Sequence, residues 1–76
     1  MYGKRLKEAR KARGITLVKA GIELNTTHET ISRYENEKRE PSIKMLKELC
    51  ILYNVSADYI IGITNNKNIN RSNDNE

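Results

Sequence analysis

Seventy-six residues allow one small domain, and 37% hydrophobic content with neither Trp nor Phe requires a core of Leu, Ile, Val and Tyr. A single cysteine, Cys50, excludes an internal disulfide and suits a reducing cytoplasm, the expected location. No apolar run is long enough to span a membrane, and the basic start (Lys4, Arg5, Lys7) is not followed by a signal-peptide core, so no membrane partner is expected. The net charge of +4 and pI near 9.4 favour a polyanionic partner without establishing one.

In chain order, Tyr2 to Arg13 read as a first helix, with Tyr2, Leu6 and Ala9 on one face and Arg10 beside them. Lys4, Arg5, Lys7, Lys11 and Arg13 make its other face basic, either as solvated surface or facing phosphate. Gly14 fits the left-handed position after the helix. Leu17 to Leu24 form a second helical pattern with Thr16 as N-cap, and Ala20 and Leu24 face inward. Val18 and Ile22, four apart, make a small apolar strip that either covers the core edge or meets a partner. His28 to Glu35 form the third pattern. Thr27 is a candidate cap for it, and Thr26 a rival, because Glu29 stands three residues on and could close a capping box.

Ile31 and Tyr34 give this third helix a buried face, and His28, Glu29, Ser32 and Arg33 a polar one. A fourth helix starts after Pro41 with Ser42 as N-cap and is expected to bury Ile43, Leu46, Leu49, Cys50 and Tyr53. Asn54 turns the chain, and Val55-Ser56-Ala57-Asp58 opens a fifth helix in which Ile60 and Ile61 return to the core. From Ile63 onward six Asn fall in fourteen residues. The domain is therefore assigned to residues 1–64 and a flexible polar tail to 65–76.

Two short helices joined by Asn25-Thr26-Thr27 make a helix-turn-helix pattern, whose second helix can lie in a DNA major groove. Thr30-Ile31-Ser32-Arg33-Tyr34-Glu35, followed by Lys38-Arg39 and Pro41-Ser42, resembles the Cro/C1-type (XRE) helix-turn-helix family of phage and bacterial repressors. The resemblance runs without a gap from about Tyr2 to Gly62, with Arg10, Thr16 and the small site Gly21 in agreement. It implies an all-α, five-helix lambda-repressor-like fold with a central helix-turn-helix.

It also implies roles. Base reading falls to His28, Glu29, Ser32 and Arg33, with Arg33 suited to guanine O6 and N7. The alternative for Arg33 is an i,i+4 ion pair with Glu29 or Glu37. Phosphate contacts fall to Thr27, Asn36, Lys38, Arg39, Ser42 and Lys44, around the helix ends. Arg10 and Glu35 are expected to pair, bridging the first helix to the end of the third. Leu17 replaces the family's Gln and loses a phosphate contact. Asn25 replaces a Gly, and Glu37 stands where the family often has Gly, which puts the tightness of its loop in question.

The function expected is sequence-specific binding of double-stranded DNA by a transcriptional regulator, acting as a homodimeric repressor. Ile51 and Tyr59 are expected to form the dimer surface, because they occupy normally polar positions on the fourth and fifth helices. With no sensor domain after the motif, ligand control within this chain is not expected. The rival class is an antitoxin or other protein-interaction module that binds a toxin or antirepressor, with Val18, Ile22, Met45, Ile51 and Tyr59 as supporting apolar surface. No nucleophile–base pair, carboxylate dyad or phosphate loop supports an enzyme. One His and one Cys cannot make a metal site, and no cofactor is implied.

Overall fold

The computed structural model describes residues 1–69. Four of its five helices begin on a side-chain hydroxyl that accepts an N–H left orphaned by the first turn. Thr16 Oγ1 accepts from Lys19 N at 3.0 Å, Thr27 Oγ1 from Thr30 N at 3.2 Å, Ser42 Oγ from Met45 N at 3.0 Å and Ser56 Oγ from Tyr59 N at 3.0 Å. These caps open α2 (Leu17–Glu23), α3 (His28–Glu35), α4 (Ile43–Tyr53) and α5 (Ala57–Ile60). The first helix, α1 (Tyr2–Ala12), has no side-chain cap at Met1. No strand occurs among the described residues.

The helices end alike. A residue with positive φ follows each one: Gly14, Asn25, Glu37, Asn54 and Gly62. The N–H groups of that residue and the next reach back to the last turn, as in Thr26 N to Gly21 O at 2.8 Å and Lys38 N to Arg33 O at 2.8 Å. This is the Schellman arrangement, which satisfies carbonyls that the helix itself cannot. Short loops follow from these tight stops, so successive helices turn sharply around one core.

Leu6 and Ala9 of α1, Ala20 of α2, Ile31 and Tyr34 of α3, Leu49, Cys50 and Tyr53 of α4, Val55, and Tyr59 and Ile60 of α5 make that core. Burial pushes the Cys50 thiol up, which keeps it protonated and unreactive. The Tyr53 phenol is pushed up by burial and then by the Glu35 charge, and its hydroxyl has no hydrogen-bond partner among the described residues.

Three expectations of burial are corrected. Ile43 is 89% exposed, not buried. Burial along α4 starts only at Met45 and Leu46 and is complete at Leu49 and Cys50, so the first turn runs out beyond the core. Ile61 is 53% exposed, because α5 is a single turn and Ile60 takes its inward direction. Tyr59 is 6% exposed and belongs to the core rather than to an outer surface. Its ring lies 4.3 Å from the Arg5 guanidinium, a cation–π contact.

Arg5 thereby leaves the basic outer face assigned to it. Its Nη1 donates to the carbonyls of Tyr59 at 2.6 Å and Thr64 at 2.8 Å, and its Nη2 to Asn65 Oδ1 at 2.8 Å. Further on, Ser56 N donates to Lys67 O at 2.9 Å. Residues 65–67 therefore fold back on α1 and the start of α5, and the first part of the expected tail is docked against the domain. Residues 70–76 of that tail lie outside the described residues. No helix among the described residues is long and apolar enough to cross a membrane.

Two close approaches and one ion pair seat α3. A Cβ on Gly21 would stand 2.9 Å from His28 N and 2.9 Å from Thr27 C, so only glycine lets α2 meet the start of α3. A Cβ on Gly3 would stand 2.2 Å from Glu35 O, which places α1 against the other end. At that same end, Arg10 Nε donates to Glu35 Oε2 at 2.6 Å and Arg10 Nη2 to Glu35 Oε1 at 3.2 Å. Arg10 Nη1 donates to Ile15 O at 2.8 Å, leaving the buried guanidinium well satisfied. The hydrogen bond to Glu35 raises the Arg10 pKa against the opposing effect of burial.

A buried charge that loses its partner is costly, so Arg10→Met alone should destabilise the domain by ~3–5 kcal/mol in denaturant melts, and Arg10→Met with Glu35→Leu should recover much of that. A single variant within ~0.5 kcal/mol of the parent would show that the pair carries no structural weight.

Candidate nucleic-acid interface

The polar face of α3 follows from its buried one. With Ile31 and Tyr34 held at 1% and 4% exposure, His28, Glu29, Ser32 and Arg33 fall on the side of the helix away from the core. His28, Glu29 and Arg33 are exposed and Ser32 is half-buried. The four residues expected to read bases thus share one accessible flank. The helix starts on Thr27, whose Oγ1 also meets Thr30 Oγ1 at 3.0 Å. The rival capping box of Thr26 with Glu29 is not formed, so the Glu29 carboxylate is left projecting from the first turn.

Arg33 makes no ion pair among the described residues. The ion pairs present there join Met1 to Glu37, Arg10 to Glu35 and Lys19 to Glu23. The i,i+4 pairing weighed for Arg33 with Glu29 or Glu37 is therefore absent, and its guanidinium is uncommitted.

Thr27, Asn36, Lys38, Arg39, Ser42 and Lys44 are all exposed, around the two ends of α3 and the start of α4. They divide by what their side chains already do. Thr27 and Ser42 cap helices, though the Ser42 hydroxyl keeps its own hydrogen to donate. Asn36 Nδ2 donates to Ser32 O at 2.9 Å and to Ser32 Oγ at 3.2 Å, which makes it chiefly a stop for α3. Lys38, Arg39 and Lys44 have no side-chain partner among the described residues. The uncapped N–H groups of the first α4 turn point the same way as the helix dipole's positive end.

The loop between α3 and α4 is tight despite Glu37. That residue has φ +57, a left-handed conformation that strains any side chain. Its carboxylate accepts from Gly3 N at 3.0 Å and from the Met1 amino group. The Met1 ammonium and then the Gly3 N–H hold the Glu37 carboxyl below the usual carboxylate range. Glu40 also flanks the loop, so acidic side chains stand among the basic ones here.

Sequence reasoning missed Gly3 and Arg5. A glycine inside an otherwise helical pattern is a signal of close approach, and Gly3 carried it. Nothing in the local pattern distinguishes Arg5 from its basic neighbours, because its partners lie more than fifty residues away.

The helix-turn-helix family model matches residues 6–60. The chain belongs to the Cro/C1-type helix-turn-helix family. It is 47% identical over 60 residues to the HTH-type transcriptional regulator ImmR of Bacillus subtilis, a match covering 79% of this chain and 47% of ImmR. To the uncharacterized HTH-type transcriptional regulator YobD of the same organism it is 36% identical over 64 residues, covering 84% of this chain and 57% of YobD. The SPbeta prophage-derived uncharacterized regulator YonR, also of Bacillus subtilis, is 33% identical over 61 residues, covering 80% of this chain and 56% of YonR. The chain spans about half the length of these curated relatives. As in the helix-turn-helix motif generally, α2 and α3 are the crossing pair, and Gly21 sets their approach.

The two threonines at the turn separate capping from shape. Thr27→Val removes the hydroxyl that accepts from Thr30 N and should cost ~1 kcal/mol in thermal or denaturant melts. Thr26→Val should stay within ~0.5 kcal/mol of the parent. Equal losses would contradict Thr27 as the cap.

Proposed function

We propose that this chain is a DNA-binding transcriptional regulator that acts as a dimeric repressor and reads the major groove with α3. The observation that carries this reading is the uncommitted Arg33 guanidinium on an exposed polar flank, with exposed Lys38 and Arg39 following α3 and Lys44 at the start of α4. Arg33 would donate two hydrogen bonds to guanine O6 and N7. Glu29, which phosphates repel, would accept from cytosine N4, and His28 and Ser32 would add contacts beside it. Lys38, Arg39 and Lys44 would bind phosphates, with Ser42 and the first-turn N–H groups of α4 assisting. Thr27 and Asn36 would shape the helix ends rather than bind.

Relatives that are named transcriptional regulators support this over an antitoxin or toxin-binding module. The protein-partner reading retains one support in Val18 and Ile22, which are 56% and 69% exposed beside the Lys19–Glu23 pair. An antirepressor seated there would leave the reading face free.

One copy of α3 discriminates modestly, since each good bidentate contact contributes ~1–3 kcal/mol. Two copies would double the reading surface, with half-sites roughly 34–36 Å apart on one face of the duplex. With Tyr59 in the core, the dimer surface would centre on Ile51, which is 65% exposed between half-buried Leu24 and Leu52 and the start of α5.

These assignments differ in what each variant changes. Arg33→Ala should cost ~1–3 kcal/mol on the preferred duplex and relax preference at one base pair. Lys44→Ala should weaken all duplexes alike and flatten the salt dependence by about one phosphate. Uniform losses for Arg33→Ala would remove it as a base reader. Ile51→Glu should leave the fold intact while shifting sedimentation towards monomer and weakening binding to palindromic duplexes. If it sediments and binds as the parent does, the two-fold surface lies elsewhere or the chain works alone.

A further inference from the structure

Helix α1 is unlike the other four in offering no cap of its own, because Met1 brings no hydroxyl or carboxyl to its first turn. That turn is nevertheless served. The Glu37 carboxylate, from the loop after α3, accepts the N–H of Gly3 at 3.0 Å. An acceptor there satisfies an orphan donor, and a negative charge there is favoured by the helix dipole. The approach is open only because Gly3 lacks a Cβ, which would meet Glu35 O at 2.2 Å and Glu37 Cγ at 2.9 Å. One residue earlier, the Tyr2 hydroxyl donates to Arg39 O at 3.4 Å. The same loop is also tied to its own helix by Lys38 N and Arg39 N, which both donate to Arg33 O.

We propose that Glu37 is the N-cap of α1 supplied from the α3–α4 loop and, through that bond, a positioning residue that holds Lys38 and Arg39 against DNA phosphates. This rests on the DNA-reading function proposed above and adds to it a residue with no expected place in the interface. Lys38 and Arg39 are exposed on a loop with no buried side chain of its own, so their bound geometry depends on where the backbone is held. Glu37 holds it at the cost of left-handed strain, a conformation that persists only when surrounding contacts over-determine it.

Charge alone argues for the opposite outcome. A carboxylate beside phosphate-binding lysine and arginine repels DNA, so its removal would strengthen binding if position did not matter. The two effects differ in sign, which makes one comparison decisive.

The test uses the full chain as parent, Glu37→Ala and Glu37→Gln, with affinity measured on the preferred duplex and on a mixed-sequence duplex across a salt series. Circular dichroism fixes a temperature at which all three are folded. Glu37→Ala should bind both duplexes about tenfold more weakly, with a salt slope shallower by about one and base preference unchanged. Glu37→Gln keeps an oxygen that accepts from Gly3 and should stay within about threefold of the parent. Exchange of the Gly3 amide should quicken in Glu37→Ala but not in Glu37→Gln. Binding by Glu37→Ala as tight as the parent's, or tighter, overturns the positioning role while leaving DNA reading intact. A parent that binds neither duplex overturns DNA reading itself, and the positioning role with it.

Discussion

The buried pair of Arg10 and Glu35 is the constraint around which the rest is arranged. It joins the last turn of α1 to the last residue of α3 with two hydrogen bonds, and a third runs from the same guanidinium to Ile15 O. Ion pairs removed from water hold only when the geometry is good and further hydrogen bonds serve the remaining groups. Here the geometry is that of a fork, which a lysine could not reproduce. The pair fixes the azimuth of α3, and so decides which of its residues face outward. Gly3 and Gly21 then fix its depth at either end, because each allows a backbone contact that any Cβ would block.

Much of this was legible in the sequence because it rests on local chemistry. Thr16, Thr27, Ser42 and Ser56 stand where helices begin, and Gly14, Asn25 and Asn54 where they end. Each preference comes from a single residue's hydrogen-bonding or conformational range, so no tertiary knowledge is needed. The fates of Ile43, Ile61 and Tyr59 depend on how far each helix extends past its neighbours, which periodicity does not encode. Tyr59 is instructive: it lies in the core with the Arg5 guanidinium over its ring, and Arg5 looks like any surface cation until residues 59–65 are placed beside it. Glu37 lay outside local rules altogether. It violates the preference for glycine after a helix, and contacts across thirty-four residues with Gly3 compensate.

The inward face of α3 was legible from the three-residue spacing of Ile31 and Tyr34, and His28, Glu29, Ser32 and Arg33 lie on the side away from it. What that set does is a matter of electrostatics. Basic residues at the helix ends supply attraction that any duplex satisfies. Under the proposed function, Glu29 on the outward flank and Glu40 beside the loop would oppose that attraction and hold non-specific affinity down. An interface of mixed sign depends more on correct hydrogen bonding to bases and less on charge, which favours specificity over affinity.

Selection of bound duplexes from a randomised library tests base reading by α3 most directly. Enrichment of a short motif containing a guanine, repeated as an inverted pair about one helical turn apart, is the expected result. Recovery of unselected sequences, bound with the salt dependence of phosphate contacts alone, would contradict it.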